Sequence, residues 1–205
     1  KAVEYAEYAA QRDPLSARLL RTLMLTQFAA GNIDEAIEAN KQMREITGGQ
    51  GGLWYLGMMH LENGDTELAS EAFNTWAQSQ GEDNMMAVHG HAMIHLARGE
   101  QAKFEHKLEQ LQGIPDSDWP VAITLAKAGM HDEAMDKIEA MVNPPNDFGP
   151  LALNTSPMFT ALHDHPRWEE VLRKRGSHPD QIAKMGIDQY FPGPGQPPTI
   201  SVDAP

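Results

Sequence analysis

Four histidines, His89, His91, His95 and His106, stand close together in the middle of the chain. His91 and His95 are four apart, the spacing at which two imidazoles on one helical face can share a zinc ion. The chemistry asks for more than this pair, and the chain holds neither a cysteine nor the glutamate of an H-E-x-x-H helix. Ordinary polar contacts between helices are therefore expected of these side chains, and a metal-dependent enzyme built on His89, His91 and His95 is the alternative. A second group, His163, Asp164 and His165, reads as an exposed loop. No G-x-S-x-G elbow is present, and Ser117 in "PDSDWP" lies in a turn without a neighbouring histidine. "GGQGG" at Gly48 to Gly52 lacks the Lys-Ser/Thr ending of a phosphate loop and reads as a connector. The acidic pairs Asp132/Glu133 and Glu169/Glu170 suit helix starts and solvated faces better than general acid and base work. No catalytic residue, cofactor or metal ligand is expected.

Composition narrows the partners. The 205 residues carry a formal charge of −13, which disfavours nucleic acid and anionic membrane surfaces, since both need a basic face; "RKR" at Arg173 to Arg175 is the only basic run. No segment reaches the roughly 18 to 20 apolar residues of a membrane span. Without cysteine the compartment stays open, cytoplasmic or, behind an upstream anchor, periplasmic. "KAVEYAEYAAQRDP" reads as the middle of a helix with Ala2, Ala6 and Ala9 on one face, so a piece of a longer protein is expected, with an anchor or catalytic domain upstream.

The elements that would position any site are written in a repeat. Glycines at 31, 64, 99 and 129 are separated by 33, 35 and 30 residues. A helix-period segment precedes each glycine and a second follows it, as in Ile33, Ala36, Ile37, Met43 and Ile46. Such a period indicates stacked two-helix units that bury their apolar faces on one another. A partial unit over 1–14 is expected, then units at about 15–47, 50–82, 85–113 and 115–143, a capping segment with short helices over 144–189 and a tail over 190–205.

The second unit has the most specific wording. Leu53-x2-Leu56-Gly57-x2-His60, then Ala69-x3-Phe73, resembles the tetratricopeptide repeat. Gly57 and Ala69 are small where two helices cross, and Phe73 fills the space beside them. Ala36 and Ala134 keep the small position in units one and four; unit three has Phe104 there, with Ala92 on its first helix and a shifted crossing. The resemblance covers about residues 1–143 and implies an all-α, right-handed superhelical stack of helix-turn-helix repeats. A narrower resemblance follows in "LARGEQAKFEHKLEQL", "LAKAGMHDEAMDKIEAMV" and "SPMFTALHDHPRWEEVLRKRG", which are similar to the C-terminal repeat region of bacterial class III adenylate or guanylate cyclases and winged-helix transcriptional regulators. There a closing phrase of the type D-P-R-F-x-x-L-L is expected; here it reads His165-Pro166-Arg167-Trp168-Glu169-Glu170-Val171-Leu172. This likeness implies a regulatory or scaffold module of a signalling protein.

In the repeat family the first helices line a concave groove that receives an extended peptide. Carried over by helical phase, the groove would present Arg18, Arg21, Leu25 and Phe28 from unit one and Trp54, Met58 and Leu61 from unit two. Unit three would add Met86, His89 and Met93, and unit four Trp119 and Ile123. The partner so implied is a protein or peptide, the chain's own tail, or another copy in a self-association device. The Lys and Asn clamp of chaperone-binding members is absent. The tail "YFPGPGQPPTISVDAP" holds five prolines, which forbid helix, and it is expected to pack along a helical face through Tyr190, Phe191 and Ile200.

Overall fold

Each of the four turn glycines ends a helix in the same way. Gly31, Gly64, Gly99 and Gly129 have φ between 67° and 83°, the left-handed region. The amide after each one donates to a carbonyl five residues back: Asn32 to Gln27 at 3.0 Å, Asp65 to His60 at 2.8 Å, Glu100 to His95 at 2.9 Å and Met130 to Leu125 at 2.9 Å. Each glycine amide donates three residues back, as Gly31 does to Phe28 at 3.0 Å. This is the Schellman stop, and its four copies satisfy the last carbonyls of four helices while turning the chain straight into the next.

In the computed structural model of the chain, the described residues are 1–49, 51–141, 153, 155–185 and 193–195. Among them are eleven α-helices, one 3-10 helix and no strand. The first nine helices are α1 (Ala2–Arg12), α2 (Ala17–Ala29), α3 (Ile33–Thr47), α4 (Leu53–Glu62), α5 (Thr66–Gln80), α6 (Met85–Ala97), α7 (Gln101–Gln112), α8 (Asp118–Lys127) and α9 (His131–Ala140). The strongest packing joins α2 to α3, α4 to α5, α6 to α7 and α8 to α9, the two arms of each glycine turn. Successive hairpins meet through α3 and α4, α5 and α6, and α7 and α8; first helices also touch one another, α4 against α6 and α6 against α8. The described residues thus form an all-helical fold, with packing contacts consistent with a helical repeat. No helix among the described residues is long and apolar enough to cross a membrane.

Phe73 shows how closely the hairpins approach. Its ring is fully buried between two glycines, and a Cβ on Gly57 would stand 2.4 Å from it, one on Gly90 2.5 Å. Gly57 is on α4 and Gly90 on α6, so a single ring from α5 fills the gap between two first helices. Gly90 thus gives α6 a close approach to the preceding hairpin. Ala92 and Phe104 are buried in the same core. Helix α8 is apolar on nearly every side, and residues 120–126 are all buried, because α6, α7, α9 and the following segment surround it.

The segment after the fourth hairpin comprises the 3-10 helix Pro157–Leu162, α10 (Trp168–Lys174) and α11 (Pro179–Lys184). The 3-10 helix packs on α8 and α9, and α10 packs on α9. Phe159, Leu162, Trp168, Val171 and Leu172 supply the apolar seal. Arg167 supplies the polar one. Its guanidinium bonds Asp136 at 2.7 Å, Glu139 at 3.4 Å and the Asp132 carbonyl at 2.8 Å, three acceptors on one stripe of α9. His165 reaches the Asp132 carboxylate at 3.2 Å. Planar, multidentate geometry of this kind is particular to arginine. Arg167→Met should therefore speed amide hydrogen exchange in α10 and leave α4 to α6 unchanged; equal exchange in both proteins would show that the apolar contacts alone hold the segment. Of the expected tail, Tyr190, Phe191 and Ile200 lie outside the described residues. Its described piece lies against α1, with Gly195 so near Tyr8 that a Cβ would stand 3.2 Å from the phenol oxygen.

Candidate binding groove

The first helices bring an aromatic wall together. Trp54, at the start of α4, is largely buried, and its indole N–H donates to Nδ1 of His89 on α6 at 3.0 Å. That bond places the imidazole proton on Nε2, which is buried without a partner. Burial alone pushes the His89 pKa down to about 3, so the ring is neutral. Tyr55 meets Trp54 edge-on at 5.0 Å. Trp76 on α5 donates to the Asn84 side-chain oxygen at 3.3 Å, and that oxygen also caps α6 through the Met86 amide at 3.0 Å. Trp119, at the start of α8, packs edge-on against Phe159 at 4.9 Å.

Between these rings lies a cavity of about 360 Å³. Arg21 and Met24 of α2 form one side, Met43 and the Gly51–Gly52 turn another, and Met86 of α6 a third; Trp54, Tyr55, Trp76 and Trp119 complete it. The turn is held close by Asn40, fully buried on α3, which donates to the Gly52 carbonyl at 3.0 Å and lies 3.1 Å from the Met24 sulfur. An adjoining cavity of about 180 Å³ shares Trp54, Tyr55 and Trp119 and continues along Leu25, Phe28 and Ala29 to residues 155–158 of the terminal segment. The two form one apolar depression beside α2 and the starts of α4, α6 and α8.

The structure divides the residues expected from helical phase. Arg21, Leu25, Phe28, Trp54, Met86 and Trp119 line one or both cavities. Met58, His89 and Ile123 are fully buried and Met93 nearly so, packed among the helices. Arg18 is exposed one turn before Arg21, and Leu61 is half-buried; neither lines a cavity. Helical phase leaves out Met24, Ala29 and Tyr55 on the first helices, and attention to first helices leaves out Met43, Trp76, the Gly51–Gly52 turn and residues 155–158. The available signal was Trp76, a large aromatic on a helix whose core positions Ala69, Ala72 and Phe73 were already filled.

The histidine group is dispersed into separate contacts. His91 faces Asn74 at 3.2 Å and Glu82 at 3.8 Å, and His95 bonds Glu100 at 2.6 Å. Burial lowers the His91 pKa against the pull of Glu82, and the His95 bond, chiefly, lowers that of Glu100. Among the described residues no three side chains of metal-ligating type converge. No model of a known protein family matches the chain, and no curated protein matches it.

Proposed function

We propose that the chain is a non-catalytic binding module of the tetratricopeptide type, a right-handed stack whose first helices present a groove to a protein or peptide, within a larger bacterial signalling protein. The observation that carries this reading is the depression around Trp54, Tyr55 and Trp119. It is apolar, adjoins four units at once, and is edged by the terminal segment. Aromatic and Met side chains are the ones that dominate binding surfaces, Trp through area and Met through adaptability. A receptor function also accounts for three tryptophans meeting at one cavity in a chain of few aromatics, since the hairpins pack largely through Ala, Gly, Leu and Met.

Calorimetry against a peptide library tests this, with Met86→Glu as the control. Met86 is half-buried at the cavity wall, so a carboxylate there disrupts the apolar surface at small cost to the helix. At least one apolar peptide should bind the parent chain with a micromolar or tighter constant and lose about ten-fold or more in the variant. Equal binding by both, or no binding by either, sinks the reading. A concentration-dependent dimer in which Met86→Glu restores the monomer would identify a second copy as the occupant.

A further inference from the structure

The polar groups at the larger cavity restrict what can fill it. The indole N–H groups of Trp54 and Trp76 are both engaged inside the protein, with His89 and Asn84, and the Gly52 carbonyl already accepts from Asn40. A peptide lying along the depression could send an apolar side chain into this space, but its backbone amides would find few free acceptors within it. Among the described residues no aspartate or glutamate lines the cavity, and the one charged lining side chain is Arg21. Arg21 is exposed and forms no hydrogen bond or ion pair among the described residues, whereas Arg98, Lys127, Lys137 and Arg167 each hold a carboxylate. In a chain of net charge −13, an unpaired guanidinium at the rim of an aromatic cavity is a local preference for an anion.

We propose that this cavity receives a small amphiphilic carboxylic acid, its apolar body among the Trp and Met side chains and its carboxylate on Arg21. The proposal rests on the groove being the binding face. A volume of about 360 Å³ lies within the range of small-molecule pockets. Taking roughly 30 Å³ per non-hydrogen atom, as for liquid water, it admits a body of about a dozen such atoms. The guanidinium can meet both carboxylate oxygens with two parallel N–H donors, which gives the ligand a head-out, tail-in orientation. A neutral head would lose the charge-assisted part of that bond.

The probes are decanoate and 4-phenylbutyrate, with decanamide as the neutral analogue, titrated into the full chain while the tryptophan indole N–H resonances are followed by NMR. At least one acid should shift the Trp54, Trp76 and Trp119 signals at sub-millimolar concentration. Arg21→Gln, or decanamide in place of decanoate, should weaken binding about ten-fold or more, as loss of a charged hydrogen bond does. Arg21→Lys should retain part of the affinity, and Arg18→Gln should retain all of it. Because Arg21 is exposed and has no partner among the described residues, its variants keep the fold, which the unshifted resonances of α6 to α9 verify. If decanamide binds as well as decanoate, or Arg21→Gln as well as the parent, the recognition of a carboxylate is wrong while the groove stands. If neither acid binds but the peptides of the library do, the proposal fails and the peptide-binding reading survives. If neither class binds, both fail.

Discussion

Phe73→Ala is expected to destabilise the chain by about 3–5 kcal/mol, the range for removing a fully buried aromatic ring. The ring sits between Gly57 and Gly90, so its loss empties the contact between α4 and α6 as well as the one within its own hairpin. Gly57→Ala should cost about 1–3 kcal/mol by overpacking, since the new methyl would overlap the ring. The two sites are coupled through shared space. In a Phe73→Leu background, Gly57→Ala should therefore cost clearly less, and urea unfolding of the four proteins would measure the difference. Additive penalties would mean that the helices separate freely and that the close approach is not a constraint. The expected link to binding is direct: α4 carries Trp54 and α6 carries Met86, so spreading these helices widens the cavity between them.

A second large effect is expected from acid. His89 has its pKa depressed to about 3 in the folded chain, against about 6.5 for an unfolded one, because burial disfavours the imidazolium. Between these values the unfolded state binds the extra proton. Stability is then complete above about pH 6.5 and is lost progressively as pH falls toward 3. From pH 7 to pH 5 this one group should remove about 2 kcal/mol. His89→Asn, whose side-chain oxygen can stand where Nδ1 accepts the Trp54 indole, should flatten that slope despite a lower starting stability. An unchanged slope would assign the acid sensitivity to the carboxylates. Tryptophan fluorescence during the titration adds a second readout, since protonation of His89 removes the acceptor for the Trp54 N–H.

Much of the helical layout was legible because local rules and packing agree. The spaced glycines mark Schellman stops, and Gly57, Ala69 and Phe73 mark a close crossing, since only small residues permit it. Gly90 follows Gly57 by 33 residues and meets the same ring, a correspondence the sequence obscures because Phe104 occupies the small position in the next helix. The candidate site was legible by half. Helical phase selects Trp54, Met86 and Trp119, which line the cavity, but it cannot tell an inward turn from a cavity-facing one when a helix is apolar on nearly all faces. In α6 and α8 the residues expected in the groove divide between wall and interior for that reason: His89 and Ile123 are interior. Met43, the Gly51–Gly52 turn and Trp76 come from second helices and a connector, whose approach to the cavity depends on how hairpins tilt, and no single-helix period encodes that.

The stripe of acceptors on α9 has a consequence for growth of the array. A further helical hairpin added to such packing needs a vacant apolar face to settle on. On α9 that face is already occupied by the segment that Arg167 and Trp168 bring in. A duplicated hairpin inserted between existing ones would inherit a neighbour on either side, whereas one placed directly after α9 would have to evict the segment first. Arg167 and Trp168 thus close the α9 face of the packed hairpins to any further helix.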